Sequence, residues 1–277
     1  NPYATAQYAK AQDIDREPAF IWWVKWTLRK GDGIVAAVNR RVQRATHKYG
    51  IKVPRTVDEA LKLDKENKND LWEKAIKKEM ANVHAAFDIL EDNENLPVGY
   101  SKATCHIIFD VKMDFTRKAR YVKDGHKTPD PEGSTYAGVV SRESVRLLLT
   151  YAALNDLDVM AADIRNAYLQ APSSEKHYII CGAEFGMENK GKRAIIRRAL
   201  YGGKVSGRDF RNSLRDCMKM LGFESCLADP DVWMRKAKKD NRVEVWEYVL
   251  LYVDDALSIG PNSEQVLRDI GKYFQLK

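Results

Sequence analysis

Residues 248–253 form an unbroken apolar run, Tyr-Val-Leu-Leu-Tyr-Val, and Asp254 and Asp255 follow it directly. A second apolar stretch, Ala256-Leu257-Ser258-Ile259, comes next and ends at Gly260-Pro261-Asn262. This pattern predicts strand, tight turn, strand, with two carboxylates on the turn. Upstream the period changes. Leu71, Trp72, Ala75, Ile76, Met80 and Val83 recur at helical spacing, with Lys74, Lys77, Lys78 and Glu79 on the opposite face. Thr56 with Glu59 three residues on has the chemistry of a helix start. Ser141 is the expected cap of a helix through Val145, Leu148, Leu149 and Ala152. Ser206 opens another helix through Phe210, Leu214, Met218 and Leu221, stopped by Gly222, and Ser263 starts a last one.

Between these helices lie short extended runs. Residues 107–113 and 119–122 predict a β-ribbon with a polar turn at 114–117. Strands are expected at 178–181, at 193–196, and at 157–162, the last half-buried and ended by Asp163. Residues 232–234 and 243–252 lead into the hairpin, and 93–99 and 128–133 read as loops. Helices and runs of antiparallel strand mixed in this way indicate an α+β fold rather than a doubly wound α/β sheet.

At 277 residues the chain is long enough for one or two domains. A boundary is expected at Pro54. Residues 1–53 open with a polar stretch, pass through the aromatic-rich run 21–28, and reach Arg40, Arg41, Arg44 and Lys48 on a predicted amphipathic helix, either a solvated basic face or a nucleic-acid-contacting arm. The chain begins at Asn1 and stops at Lys277 in a segment with helical pattern, as expected of a piece of a longer product. Lys and Arg number 46 against 39 Asp and Glu, a net charge of +7 that suits a polyanionic partner without demanding one. Cys105, Cys181, Cys217 and Cys226 form no CxxC pair, so they read as reduced thiols rather than a disulfide framework or a zinc site. No apolar stretch is long enough to span a bilayer.

The candidate chemistry centres on carboxylates. Carboxylate oxygens are preferred ligands of hard divalent cations, and a rigid hairpin is a good place to hold them. Two acids rarely suffice for two ions. Asp163, at the end of a predicted strand, is the third candidate, although a lone Asp there is more often a cap or turn former. A dense basic stretch includes Arg197, Arg198, Lys204 and Arg208, interrupted by Leu200, Tyr201 and Phe210. It reads either as a solvated charged face or as a surface tracking a template-primer backbone through its phosphates.

Several segments in order resemble one family: "RKARYVKDGH" around Lys118 and Arg120, "TYAGVVSRESVRLLL" from Thr135, "DIRNAYL" from Asp163, "RALYGGKVSG" from Arg198, "ADPDVWMR" from Ala228 and "YVLLYVDD" ending at Asp255. Together they resemble the reverse transcriptases of copia-type LTR retrotransposons, over residues 54–277, and the first 50 residues resemble the link preceding that polymerase in the family's polyprotein. The resemblance implies a right-hand polymerase: fingers and palm, an antiparallel palm sheet packed on helices, and a thumb that is missing here. It implies an RNA-directed DNA polymerase joining a primer 3′-hydroxyl to the α-phosphorus of a dNTP, with an inactive relic that at most binds nucleic acid as the alternative. Asp163, Asp254 and Asp255 would be catalytic, holding two Mg²⁺ (or Mn²⁺) ions with the Ile164 carbonyl. Tyr168 would lie under the incoming sugar and reject a ribose 2′-hydroxyl. Lys118 and Arg120, alternate residues on one strand face, would clamp the triphosphate. The implied partners are an RNA or DNA template with primer, dNTP, and the integrase and RNase H segments of the polyprotein, in cytoplasmic virus-like particles without membrane. One departure stands out: the family's usual Leu-Lys-Gln after Leu-Tyr-Gly is Gly203-Lys204-Val205 here.

Overall fold

The computed structural model describes residues 46–277, so the aromatic run and most of the amphipathic helix expected in residues 1–53 lie outside the described residues; Lys48, expected on that helix, lies instead in a short antiparallel strand. Strands β1 (His47–Lys48) and β2 (Ile51–Lys52) come first, then helices α1 (Val57–Glu66) and α2 (Leu71–Val83). β3 (Phe87–Ile89), β4 (Ser101–Lys102), β5 (Cys105–Val111) and β6 (Arg117–Lys123) follow. Next come α3 (Arg142–Leu154), β7 (Asp158–Asp163), β8 (His177–Ile180), β9 (Arg193–Ile196) and α4 (Ser206–Met220). The chain closes with β10 (Glu224–Ser225), β11 (Val232–Lys238), β12 (Glu244–Tyr252), β13 (Asp255–Gly260) and α5 (Ser263–Ile270). The fold is α+β; the five-stranded sheet is antiparallel throughout, and β4 pairs with β8 in parallel.

The contacts divide the chain into two units. One gathers the described residues up to Pro54 with Asp110–Thr116. In it Lys48 reaches Asp110 at 2.5 Å, and Tyr49 meets Phe115 edge-on. The other, Arg55–Phe109 with Arg117–Lys277, carries both larger sheets.

Its main sheet has the order β10-β11-β12-β13-β7. The hydrophobic run of β12 is continuous because both faces of the sheet are covered. Val249 and Leu251 join Trp233 and Ala256 in a core built with Phe210, Leu214 and Met218 of α4 and Val266, Leu267 and Ile270 of α5. Leu250, Val232 and Ile259 face the other way, onto Leu148 and Ala152 of α3. Successive residues therefore alternate between two cores, as the pleat requires. β7 differs from its expected half-burial: Val159 and Met160, on opposite faces, are both exposed, because β7 is the edge strand of the sheet.

A second sheet, β3-β9-β8-β4, has aromatic packing of its own. Phe87, Tyr121 and Phe185 meet edge-to-face at 5.2–5.9 Å, the arrangement that aromatic quadrupoles favour. The helix starts follow local chemistry. Thr56 Oγ1 accepts from the Glu59 N–H at 3.2 Å, and Glu59 Oε2 accepts in turn from the Arg55 N–H. Ser141 Oγ accepts from the Ser144 N–H at 3.1 Å. Asp229, from the "ADPDV" segment, braces the same helix start by accepting from the Ser141 N–H and the Ser144 hydroxyl.

Two local expectations are corrected. Arg117 opens β6 instead of closing the turn, so the turn lies at 112–116, where the Lys112 N–H bonds the Thr116 carbonyl. The helical pattern near Lys277 does not continue: α5 ends at Ile270, Leu276 forms a bridge with Ile164, and the Lys277 N–H bonds the Asp163 carbonyl at 2.9 Å. Backbone pairing with the end of β7 replaces the helix there. All four cysteines are free, and no described helix is long and apolar enough to cross a membrane.

The turn after β9 packs closely against the end of β6. Gly202 has φ +80, and a Cβ there would come within 2.2 Å of the Lys123 carbonyl oxygen. Gly133 has φ +84 but open space around it. Gly133→Ala is expected to cost about 1–2 kcal/mol, the penalty of the left-handed region alone. Gly202→Ala adds a backbone collision and should cost clearly more; denaturant unfolding of the two variants measures the difference.

Candidate active site

The β12–β13 hairpin pairs Tyr252 with Asp255, so Val253 and Asp254 form a two-residue turn. Val253 has φ +54, a conformation that β-branched residues rarely adopt. The turn stays in place because it is held from outside: the Asp254 carbonyl accepts from the Ile164 N–H at 2.7 Å. That bond also sets the register between β13 and β7. With residues 164 and 254 hydrogen-bonded, the neighbouring pair, Asp163 and Asp255, falls at a non-hydrogen-bonded position. In antiparallel sheets this is where opposed side chains lie closest. Two acids far apart in sequence thus become direct cross-strand neighbours, with the third on the adjoining turn.

Like charges placed so are costly. Burial, then the charges of Asp254 and Asp163, raise the Asp255 carboxyl above the ordinary aspartate range. Among the described residues no lysine, arginine or histidine forms an ion pair with any of the three acids. Nor does any group of three His, Cys, Asp or Glu side chains converge into a metal-holding arrangement among them. The donor chemistry nonetheless fits a hard cation: oxygen ligands only, anionic, mutually repelling and without a basic partner. Ile164 contributes in two ways. Its side chain is buried in the main core, while its backbone bonds Asp254 and bridges to Leu276.

Tyr168 lies beside these acids. Asn166 takes a left-handed conformation, φ +50, which Asn tolerates, and the chain then enters a 3-10 turn over Ala167–Gln170. The Tyr168 ring packs against Phe210 at 6.0 Å and Tyr201 at 4.9 Å. Burial raises its phenol pKa, and the Asp254 charge pushes the same way. On β6, Ala119, Tyr121 and Lys123 are buried and Lys118, Arg120 and Val122 alternate with them, the face sharing expected of Lys118 and Arg120. Arg120 comes into the site: its guanidinium lies 4.9 Å over the Tyr201 ring. Lys118 is placed near Glu79, which also feels Arg120. Tyr201 itself was legible only as one apolar residue in a basic stretch; nothing in local spacing marks it as the ring between Arg120 and Tyr168.

The cations of the basic stretch are each bonded to a different partner. Arg197 pairs with Asp88 at 2.6 Å. Arg198 donates to the Gln170 carbonyl. Lys204 bonds Asp130 and the Thr128 carbonyl, and Arg208 bonds Ser174 Oγ and the Ser134 carbonyl. Each cation closes a contact between segments. Val205, where the family often has a polar residue, is buried at the head of α4. Between α4 and the hairpin lies a cavity lined by Tyr168, Gly207, Arg211, Asp231, Leu251 and Val253 among others. Arg211 and Asp231 wall it as a two-pronged ion pair at 2.8 and 3.0 Å.

The raised Asp255 carboxyl has a pH signature. A carboxyl with a raised folded pKa destabilises the fold increasingly as pH climbs from its unfolded value through its folded one. Asp255→Asn removes that penalty. The variant should be more stable than wild type at neutral pH, with the advantage shrinking as pH falls toward 4. Unfolding free energies measured from pH 4 to 8 test this, and an advantage independent of pH would refute the like-charge account.

A sequence profile of the family described as reverse transcriptase (RNA-dependent DNA polymerase) matches residues 92–277. The retrovirus-related Pol polyprotein from transposon TNT 1-94 of Nicotiana tabacum is 28% identical over 225 residues, covering 76% of this chain and 16% of that protein. The retrovirus-related Pol polyprotein from transposon RE2 of Arabidopsis thaliana is 25% identical over 260 residues, covering 90% and 17%. The transposon Ty1-BL Gag-Pol polyprotein of Saccharomyces cerevisiae is 27% identical over 197 residues, covering 61% and 11%. The chain spans less than a fifth of the length of these curated relatives. It belongs to the reverse transcriptase (RNA-dependent DNA polymerase) family, in the form found in copia-type retrotransposon polyproteins.

Proposed function

We propose that residues 54–277 are the fingers and palm of an RNA-directed DNA polymerase that extends a primer 3′-hydroxyl with dNTP. The sheet β10-β11-β12-β13-β7 with α4 and α5 is the palm in this reading. The sheet β3-β9-β8-β4 with β5 and β6 belongs to the fingers, the thumb lies outside residues 54–277, and residues 1–53 are an extension from the polyprotein. The observation that carries the proposal is the cross-strand pairing of Asp163 with Asp255, beside Asp254 on a turn held by the Ile164 N–H. Such a set of anionic oxygens suits phosphoryl transfer, in which charge on the transferring group must be neutralised.

In this reading Asp163, Asp254 and Asp255, with the Ile164 carbonyl, would hold two Mg²⁺ ions, for which Mn²⁺ could substitute. Bound there, the ions supply the charge that lowers the pKa of the 3′-hydroxyl and stabilises the leaving pyrophosphate. Arg120 offers its planar fork to the triphosphate, with Lys118 on the same strand face. The Tyr168 ring occupies the space a ribose 2′-hydroxyl would need, a selection by clash. Arg197, Arg198, Lys204 and Arg208 are assigned to the template-primer backbone; to serve it they exchange their present carbonyl, hydroxyl and carboxylate partners for phosphates. The partners proposed for the parent polyprotein are an RNA or DNA template with primer and the integrase and RNase H segments, in cytoplasmic virus-like particles.

Asp254→Asn keeps the side-chain shape and removes the charge. It should reduce Mg²⁺-dependent primer extension by at least about a hundredfold, while template-primer affinity, measured by filter binding, changes little. Near-wild-type extension would exclude Asp254 as a metal ligand. Tyr168→Ala should raise ribonucleotide relative to deoxyribonucleotide incorporation by about 10–100-fold in a single-nucleotide competition. An unchanged ratio in a folded, active variant would make Tyr168 an ordinary packing residue.

A further inference from the structure

Arg120 stands apart from the other arginines near the site. Arg197, Arg208 and Arg211 all give their donors to carboxylates, hydroxyls or carbonyls. Among the described residues the Arg120 guanidinium makes no hydrogen bond and no ion pair; its recorded contact is the face of Tyr201. A ring face holds a guanidinium by its plane and takes up none of its five N–H groups. The same ring presses on Tyr168, with centroids 4.9 Å apart and planes 50° apart. Tyr201 is thus in contact with the residue assigned to the phosphates and with the residue assigned to the sugar.

Its own position is built from below. The Tyr201 carbonyl accepts from the Lys123 N–H at 2.8 Å, three residues beyond Arg120 on the same strand. The Lys123 side chain is buried, bonded to Glu175 at 2.5 Å and to His177 Nδ1 at 2.8 Å. Gly202, with φ +80, allows the chain to turn against the Lys123 carbonyl, an approach that a Cβ would block. Strand β6 and the Tyr201 turn are therefore joined by a backbone hydrogen bond and close backbone packing, with the Tyr201 ring in contact with both Arg120 and Tyr168.

We propose that Tyr201 is a positioning residue that couples the phosphate-binding Arg120 to the sugar gate at Tyr168, so that triphosphate affinity and sugar selectivity depend on one ring. The inference rests on the polymerase reading above and extends it to a residue that makes no contact with the reacting atoms. It follows that the aromatic ring, rather than the phenolic hydroxyl, carries the role, since both recorded contacts are made by the ring.

The test uses Tyr201→Leu, which keeps apolar volume and removes the ring, and Tyr201→Phe, which keeps the ring. Single-nucleotide incorporation is measured with dNTP and rNTP in Mg²⁺, with thermal melting of each variant. Tyr201→Leu should raise KM for dNTP about three- to tenfold with a smaller change in kcat, and should raise the ribonucleotide share. Tyr201→Phe should restore both. Arg120→Gln should raise KM by itself, and the double variant with Tyr201→Leu should fall short of the product of the two effects, because the ring acts through Arg120. Unchanged KM and sugar ratio in a folded Tyr201→Leu variant would overturn the inference. So would failure of Tyr201→Phe to rescue, or full multiplicativity in the double variant. A parent polyprotein carrying the thumb and wild type at all these positions, with no metal-dependent extension, would overturn the polymerase reading, and this inference with it; normal extension by it with an indifferent Tyr201 would overturn this inference alone.

Discussion

A single backbone hydrogen bond, from the Ile164 N–H to the Asp254 carbonyl, decides the geometry on which the rest of the site depends. It fixes the register of β7 against β13 and puts Asp163 opposite Asp255 at the closer kind of antiparallel pair. A slip of one residue would send Asp163 to the other face of the sheet. The register is protected by burial. Ala256 and Ile259 of β13 belong to different cores, so shifting the hairpin would expose one core and bury polar groups in the other. Hydrophobic packing on both faces thus holds together carboxylates that would separate if only their charges acted.

The cost of that arrangement is visible in Asp255, whose carboxyl is raised by burial and by its two neighbours. The strained φ of Val253 is a second cost at the same turn. Both are sustained by the surrounding sheet. A site for anionic chemistry needs such uncompensated acids, because an internal lysine or arginine would satisfy them and leave no demand for a cation.

The cations of the molecule follow the opposite rule. Most of the basic residues around β9 and α4 are tied to carboxylates, hydroxyls and carbonyls of other segments. Their net effect is to bind loops to the sheets, and the charge count of the sequence hides this. Arg120 is different because an aromatic face holds it, and an aromatic face leaves donors available. The same distinction explains why a dense basic stretch in a sequence does not by itself show which cations keep donors available.

Local chemistry was legible in the sequence. Thr56 and Ser141 cap their helices, α2 covers the residues its apolar spacing marks, β9 runs over Arg193–Ile196 as expected, and Asp254 sits on the turn of a hairpin, whereas Asp255, expected on the same turn, opens β13. Periodicity and turn chemistry act over a few residues, and these elements need nothing more. The motif order also identified the family, because a set of motifs is read without knowing their contacts. Other features were decided only by tertiary structure: the opposition of Asp163 and Asp255, the exposure of β7 at the sheet edge, the bridge from Leu276 to Ile164 that ends the helical pattern, and the place of Tyr201 between Arg120 and Tyr168. A period of two or of 3.6 tells a residue which face it occupies. It does not tell it which distant strand, ring or charge will lie across from it, since that is set by hydrogen-bond register and packing between segments far apart in the chain.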